Sequence, residues 1–214
     1  MDIKIKASII SSIAEISVIH PIDYIKTLKQ KDKNTNIINA LKTPYIGIYP
    51  RLIGTVPMRF LFWNSLNNFN QKGYKAVVSG FYTSILQTFI DYPIELSKTQ
   101  KINNNIDFKK SFKNINHIGS YSTHLSRNAL FAVILNYSIQ KDPNSYYIAG
   151  LSAGIASLIS QPFDSLKTWY QSGNYKYPKN WNFYNYMRGY EYRCSISIIG
   201  MNIGWIIFYK LSNS

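Results

Sequence analysis

The chain has 214 residues, with 24 Lys and Arg against 10 Asp and Glu, giving a formal net charge of +14. Apolar residues make up 46% and aromatics 15%, too many for a disordered basic tail. One cysteine (Cys194) and three scattered histidines (His20, His117 and His124) exclude a disulfide framework and any Cys- or His-rich metal centre.

In chain order, residues 1–18 place Lys4 and Lys6 before an apolar stretch, which imitates a secretory signal. Glu15 interrupts that stretch, and His20-Pro21 follows without a small-residue cleavage site, so it predicts a first structural helix. Uncharged runs follow at 76–90, 128–140, 143–163 and 194–209, rich in Gly, Ser, Ala, Tyr and Asn as well as Ile and Leu. A helix of that composition can show lipid one face and hide a polar face against its neighbours. A soluble amphipathic bundle accounts for the composition equally well. The mean hydropathy of −0.15 favours the bundle, but very basic connectors weigh on that average.

A threefold repeat organises these segments. Pro21-Ile-Asp23-Tyr-Ile-Lys26 returns as Pro93-Ile-Glu95-Leu-Ser-Lys98 and as Pro162-Phe-Asp164-Ser-Leu-Lys167, at spacings of 72 and 69 residues. Small residues four apart precede each proline: Ser8 and Ser12, Gly80 and Ser84, Ala149 and Ala153. Gly150 and Gly154 widen the third groove, and such grooves let helices approach closely. A basic, Asn-rich connector follows each motif, then a glycine (Gly47, Gly119, Gly189), then a second apolar segment. Each unit predicts helix, proline kink, loop and helix. The repeats span 1–70, 71–141 and 142–214.

The Pro-x-acid-x-x-base motif in three copies, with Tyr45-Ile46-Gly47 downstream of the first, resembles the mitochondrial carrier family over essentially the whole chain. His117-Ile118-Gly119 and Met187-Arg188-Gly189 match the aromatic-x-Gly element less well. The repeats are shorter than the family's roughly hundred residues. The resemblance implies an all-α membrane protein, with six transmembrane helices in three pseudo-threefold repeats around a central cavity. It implies a monomer that exchanges small anionic solutes across the mitochondrial inner membrane by alternating access. It is then a multi-pass protein, of the host's mitochondrion if the source is viral, with cardiolipin as a bound lipid and no other cofactor. More lysines lie in the connectors than at the opposite end, which turns the connectors to the matrix and both termini to the intermembrane space. A generally solvated basic surface explains those lysines nearly as well.

Proline removes a backbone donor and kinks each odd helix at Pro21, Pro93 and Pro162. The acid and base that follow lie three residues apart on one helix face. By resemblance, each acid meets the base of another repeat, as Asp23–Lys98, Glu95–Lys167 and Asp164–Lys26. These pairs form a gate on the matrix side, each worth about 1 kcal/mol if solvent-screened. Gln30 and Gln171 match the family's glutamine braces beneath the pairs; repeat 2 has Ile102 there, with Gln100 nearby. The opposite gate departs from the family. Its aligned positions read Asn67 and Asn70, Asn136 and Ile139, Tyr209 and Ser212, with no acid, which predicts a bias toward the cytoplasm-open form.

Four of the five arginines lie on even segments: Arg51, Arg59, Arg127 and Arg193. A guanidinium in such a segment reads as cavity-facing and matches phosphate or carboxylate. For Arg51 and Arg193, a place near the mouth is an equal alternative. The family's contact points map to Gly54, Thr55 and Met58 in helix 2 and to Ile196 and Gly200 in helix 6. In helix 4, one register gives Ser126 and Arg127, the other Thr123, His124 and Arg127. Glu15 and Asp91 are cavity acids or partners of the arginines. The substrate class is anionic: nucleotides or deoxynucleotides first, with phosphate or carboxylates as the alternative. Two readings of other classes stay open: a carrier-like adaptor that does not transport, and a soluble basic helical nucleic-acid-binding protein. No catalytic constellation or metal site stands out, so neither an enzyme nor a nucleic-acid partner is expected from the preferred reading.

Overall fold

The computed structural model describes residues 3–31, 41–106, 110, 112–113, 115–142, 146–174 and 176–212. The helices are α1 (Ile3–Lys31), α2 (Ile48–Gln71), α3 (Ala76–Asn104), α4 (His117–Lys141), α5 (Tyr146–Ile159), α6 (Gln161–Gln171), α7 (Phe183–Tyr186) and α8 (Tyr190–Ser212). Each packs on its neighbour from α1 through α5, and α8 closes the circle by packing on both α5 and α1. At one end of this circle α1, α3 and α6 converge on one another. The circle surrounds a polar interior.

Local chemistry sets the joints. Gly47 and Gly189 precede α2 and α8 in the left-handed region, at φ of 80° and 76°, a conformation natural to glycine. Gly119 differs, because it lies inside α4 and its amide is capped by the side chain of Asn116. Pro21 and Pro93 sit within continuous helices, whereas the third unit stops at Ile159 and restarts at Gln161, so Pro162 opens a new helix instead of kinking one. The small-residue rows do bring helices together. A Cβ on Gly80 would lie 2.8 Å from the Val133 Cα, so α3 and α4 meet backbone to backbone.

Among the described residues, no helix is long and apolar enough to cross a membrane. α1 and α3, at 29 residues each, have ample length at about 1.5 Å per residue. Their composition fails them: polar Ser, Thr, Gln, Tyr and His side chains are mixed among the apolar ones, together with Glu15, Asp23 and Lys26 in α1 and Asp91, Glu95 and Lys98 in α3. The apolar α5 has only 14 residues, roughly 21 Å. This overturns the expected six transmembrane helices. It likewise overturns the placement as a multi-pass protein of the mitochondrial inner membrane with both termini toward the intermembrane space.

The radial distribution of side chains is nonetheless inverted. Thr83, Ser84, Thr88, Asn136, Gln161 and Gln171 are buried, while Phe89 and Ile118 stand 77% and 85% exposed, with Ile53, Leu151 and Ile155 also outward. The main apolar cluster is small, built from Phe62, Leu66, Ala132, Leu135 and Ala153 with Phe131, Ile139 and Met201 against it.

Candidate functional site

Where α1, α3 and α6 converge, the three motifs build a closed ring of alternating charge. Lys98 Nζ lies 2.9 Å from Asp23 Oδ2, Lys167 Nζ 2.7 Å from Glu95 Oε2, and Lys26 Nζ 2.6 Å from Asp164 Oδ2. Contacts within each motif join these pairs: Lys98 to Glu95 at 2.7 Å, Lys167 to Asp164 at 3.4 Å and Lys26 to Asp23 at 4.0 Å. Every lysine is shared by two acids, and every acid by two lysines.

The ring is not solvent-screened. Asp164 is fully buried, and Asp23, Lys26, Lys98 and Lys167 are nearly so. The figure of about 1 kcal/mol for screened pairs therefore does not apply. Removing one member of a buried pair strands its partner, at a cost of about 3–5 kcal/mol. Burial works to raise the Asp164 carboxyl; Lys26, Arg193, Lys167 and Arg127 outweigh it and hold the group well below the usual carboxylate range.

A cavity of about 190 Å³ adjoins the ring. It is lined by ring members Asp23, Lys26, Glu95 and Lys98, by Glu15, Arg59, Asp91, Arg127 and Arg193, and by apolar side chains including Ile16, Met58 and Ile94. Arg127 joins cavity to ring. Its NH2 lies 3.1 Å from Asp91 Oδ2, and its NH1 lies 3.3 Å from Asp164 Oδ1 and 3.8 Å from Glu95 Oε2. Arg193 reaches Asp164 at 4.0 Å and donates to Ser160 Oγ at 2.7 Å, inside the structure and not at an exposed mouth. Arg59 is ion-paired with Glu15 across the α1–α2 seam.

Other expected residues fall differently. His124 is fully buried and lies outside the cavity lining; its Nε2 sits 2.9 Å from Asp91 Oδ2 and 3.0 Å from Arg127 NH2. Burial and the Arg127 guanidinium push its pKa down to about 4 against the pull of Asp91, so it positions that acid as a neutral ring. Gln171 accepts from Thr99 at 3.1 Å, and Gln100 donates to its backbone oxygen at 2.5 Å, so this amide ties α6 to α3. Gly54 and Met58 line the cavity with Ile196, and Gly200 backs Glu15, where a Cβ would lie 2.8 Å from Oε1. The side chains of Gln30, Arg51, Thr55, Asn67, Tyr209 and Ser212 lie outside the described residues.

At the far ends of α2 and α4, amide side chains meet. Asn70 and Asn136 exchange reciprocal hydrogen bonds at 2.9 and 3.2 Å, Gln140 donates to Asn70 Oδ1, and Asn136 donates to the Ala76 carbonyl. The sequence offered Glu15 and Asp91 as cavity acids or as partners of the arginines without fixing which pairs with which, and it gave no sign that Arg127 touches ring carboxylates. The signal available was acids on odd helices and arginines on even ones. No group of three or more His, Cys, Asp or Glu able to hold a metal ion occurs among the described residues. No protein-family model matches this sequence, and no curated protein matches it closely enough to count as a relative.

Proposed function

We propose that this chain binds a small charged solute in its central cavity and opens and shuts one mouth of that cavity through the ion-pair ring. The observation that carries the reading is the position of Arg127. A single guanidinium holds the cavity acid Asp91 together with two ring carboxylates, Asp164 and Glu95. A solute that takes Arg127 competes with those carboxylates and loosens the ring, which couples occupancy to gating. The cavity favours solutes smaller than nucleotides, since about 190 Å³ falls short of the roughly 300–1,000 Å³ that encloses a drug-sized ligand.

The test is calorimetric titration of the intact chain with nucleotides, phosphate, carboxylates and amino acids, in wild type and in Arg127→Lys. Lysine keeps the charge and loses the planar fork that spans three acids. Saturable binding of one class, weakened at least tenfold by the substitution, is expected. A panel without any binding, or binding indifferent to Arg127, refutes the reading and favours the carrier-like adaptor. Anionic lipid, cardiolipin first, is the proposed partner of the connector-side lysines, among them exposed Lys110, Lys113, Lys176 and Lys179. Salt-sensitive co-sedimentation with cardiolipin vesicles checks it.

A further inference from the structure

We propose that the solute is a zwitterion, an α-amino acid or a molecule of like charge pattern, held with its carboxylate on Arg59 and its ammonium on Glu15. This rests on the solute-binding reading above and names the class of solute.

The argument starts from charge balance. The cavity is lined by four acids (Glu15, Asp23, Asp91, Glu95) and five bases (Lys26, Arg59, Lys98, Arg127, Arg193). The arginines are already answered: Arg59 by Glu15, Arg127 by Asp91, Asp164 and Glu95, and Arg193 by Asp164. A polyanion entering this space meets one carboxylate for nearly every guanidinium it seeks. Each carboxylate it displaces is left as an uncompensated charge with little access to water, the costly outcome for a buried pair.

A zwitterion avoids that outcome. It can insert into one existing ion pair, giving its carboxylate to the guanidinium and its ammonium to the released carboxylate, so that no charge is stranded. The Glu15–Arg59 pair is the one suited to this exchange. Glu15 lies eight residues before Asp23 on α1, about 12 Å along the helix, so opening this pair strands no member of the ring. Arg127 lines the same cavity, and a solute seated here still competes for the guanidinium that joins cavity to ring. Gly200 holds the wall behind Glu15 free of a side chain. Beside the pair, Ile16, Met58, Ile94, Phe131 and Ile196 form an apolar wall for the solute's own side chain, and Gln87 and Asn128 add polar contacts.

The experiment titrates the intact wild-type chain with each of the twenty common L-amino acids. The tightest is followed by its N-acetyl derivative, which keeps only the carboxylate, and its carboxamide, which keeps only the ammonium. At least one free amino acid binds, and each derivative binds at least tenfold more weakly. The double variant Glu15→Gln and Arg59→Gln keeps a hydrogen-bonded pair without charge; it keeps the wild-type melting midpoint within a few degrees and loses the amino acid. The derivative series needs no variant, so a misfolded double mutant leaves the test intact. If a carboxylate, phosphate or nucleotide binds in an Arg127-dependent way and no amino acid does, the zwitterion assignment is wrong and the solute-binding reading stands. If nothing binds, both are wrong.

Discussion

Replacing Asp164 with asparagine is the sharpest perturbation of the ring, because that one carboxylate serves four cations. Its oxygens lie 2.6 Å from Lys26, 3.4 Å from Lys167, 3.3 Å from Arg127 and 4.0 Å from Arg193, with no exposed surface. Asparagine preserves size and some hydrogen bonding but removes the charge. Breaking a single buried pair costs about 3–5 kcal/mol. A loss in that range is a large part of the roughly 5–15 kcal/mol that holds a typical domain folded. At about 2–4 °C per kcal/mol for a chain of this size, the melting midpoint falls by roughly 6–20 °C at pH 7. The exposed substitution Glu191→Gln serves as the control and moves it by about 2 °C or less. Adding Lys26→Met removes one of the stranded cations, so the double variant is more stable than the sum of the single losses predicts. The folded pKa of Asp164 lies below its unfolded value of about 3.9, so its stabilisation is complete above that pH and disappears as pH falls through the folded value. The gap between wild type and Asp164→Asn therefore narrows in strong acid. A midpoint unchanged at pH 7 refutes the argument, because it means the ring bears no load in the folded state.

Three further outcomes follow from the same geometry. His124 titrates near 6.5 when unfolded and near 4 in place, so the unfolded chain takes up the extra proton between those values; stability declines as pH drops from 6.5 toward 4, by at most about 3 kcal/mol, and His124→Gln flattens that slope in urea titrations across the window. Gly80→Ala drives a methyl group into the Val133 backbone and costs about 1–3 kcal/mol by forcing α3 from α4, whereas an unshifted denaturation midpoint contradicts the close approach. Asn70→Ala removes the hydrogen-bond partner of Asn136 Oδ1 and the acceptor for Gln140, with an expected loss of about 1–3 kcal/mol by thermal melting.

The parts of the molecule written in short, repeated patterns were legible before the coordinates. Acid and base three apart on a helical turn, in three copies, specify the participants of the ring, because a local spacing fixes which face they share. The ring's closure through contacts within each motif is a matter of side-chain reach that spacing leaves open. The Glu15–Arg59 pair was less legible still, since it joins residues 44 apart through the α1–α2 packing and no local pattern marks it. The membrane-spanning expectation failed for a related reason. Uncharged runs rich in Ser, Thr, Asn and Tyr look alike whether their polar face lines a protein interior or a water-filled path. The run at 76–90 shares α3 with its charged motif, while the run at 143–163 holds the short α5 and its motif lies in α6. The glycine pattern misled only in the second repeat. Gly119 shares its spacing with Gly47 and Gly189 but packs against the Tyr170 ring inside a helix.

The shared lysines of the ring also bear on how this sequence can change. Asp23 answers both Lys98 and Lys26, so a substitution in the first motif is felt in the second and, through Lys26, in the third. Three stretches some seventy residues apart in the chain thus behave as one heritable unit. A swap of acid for base in one repeat is repaired only by matching swaps around the whole circle. The three copies show what this unit retains: each six-residue motif keeps its proline, an acid and its lysine, while the residues between them and the flanks differ.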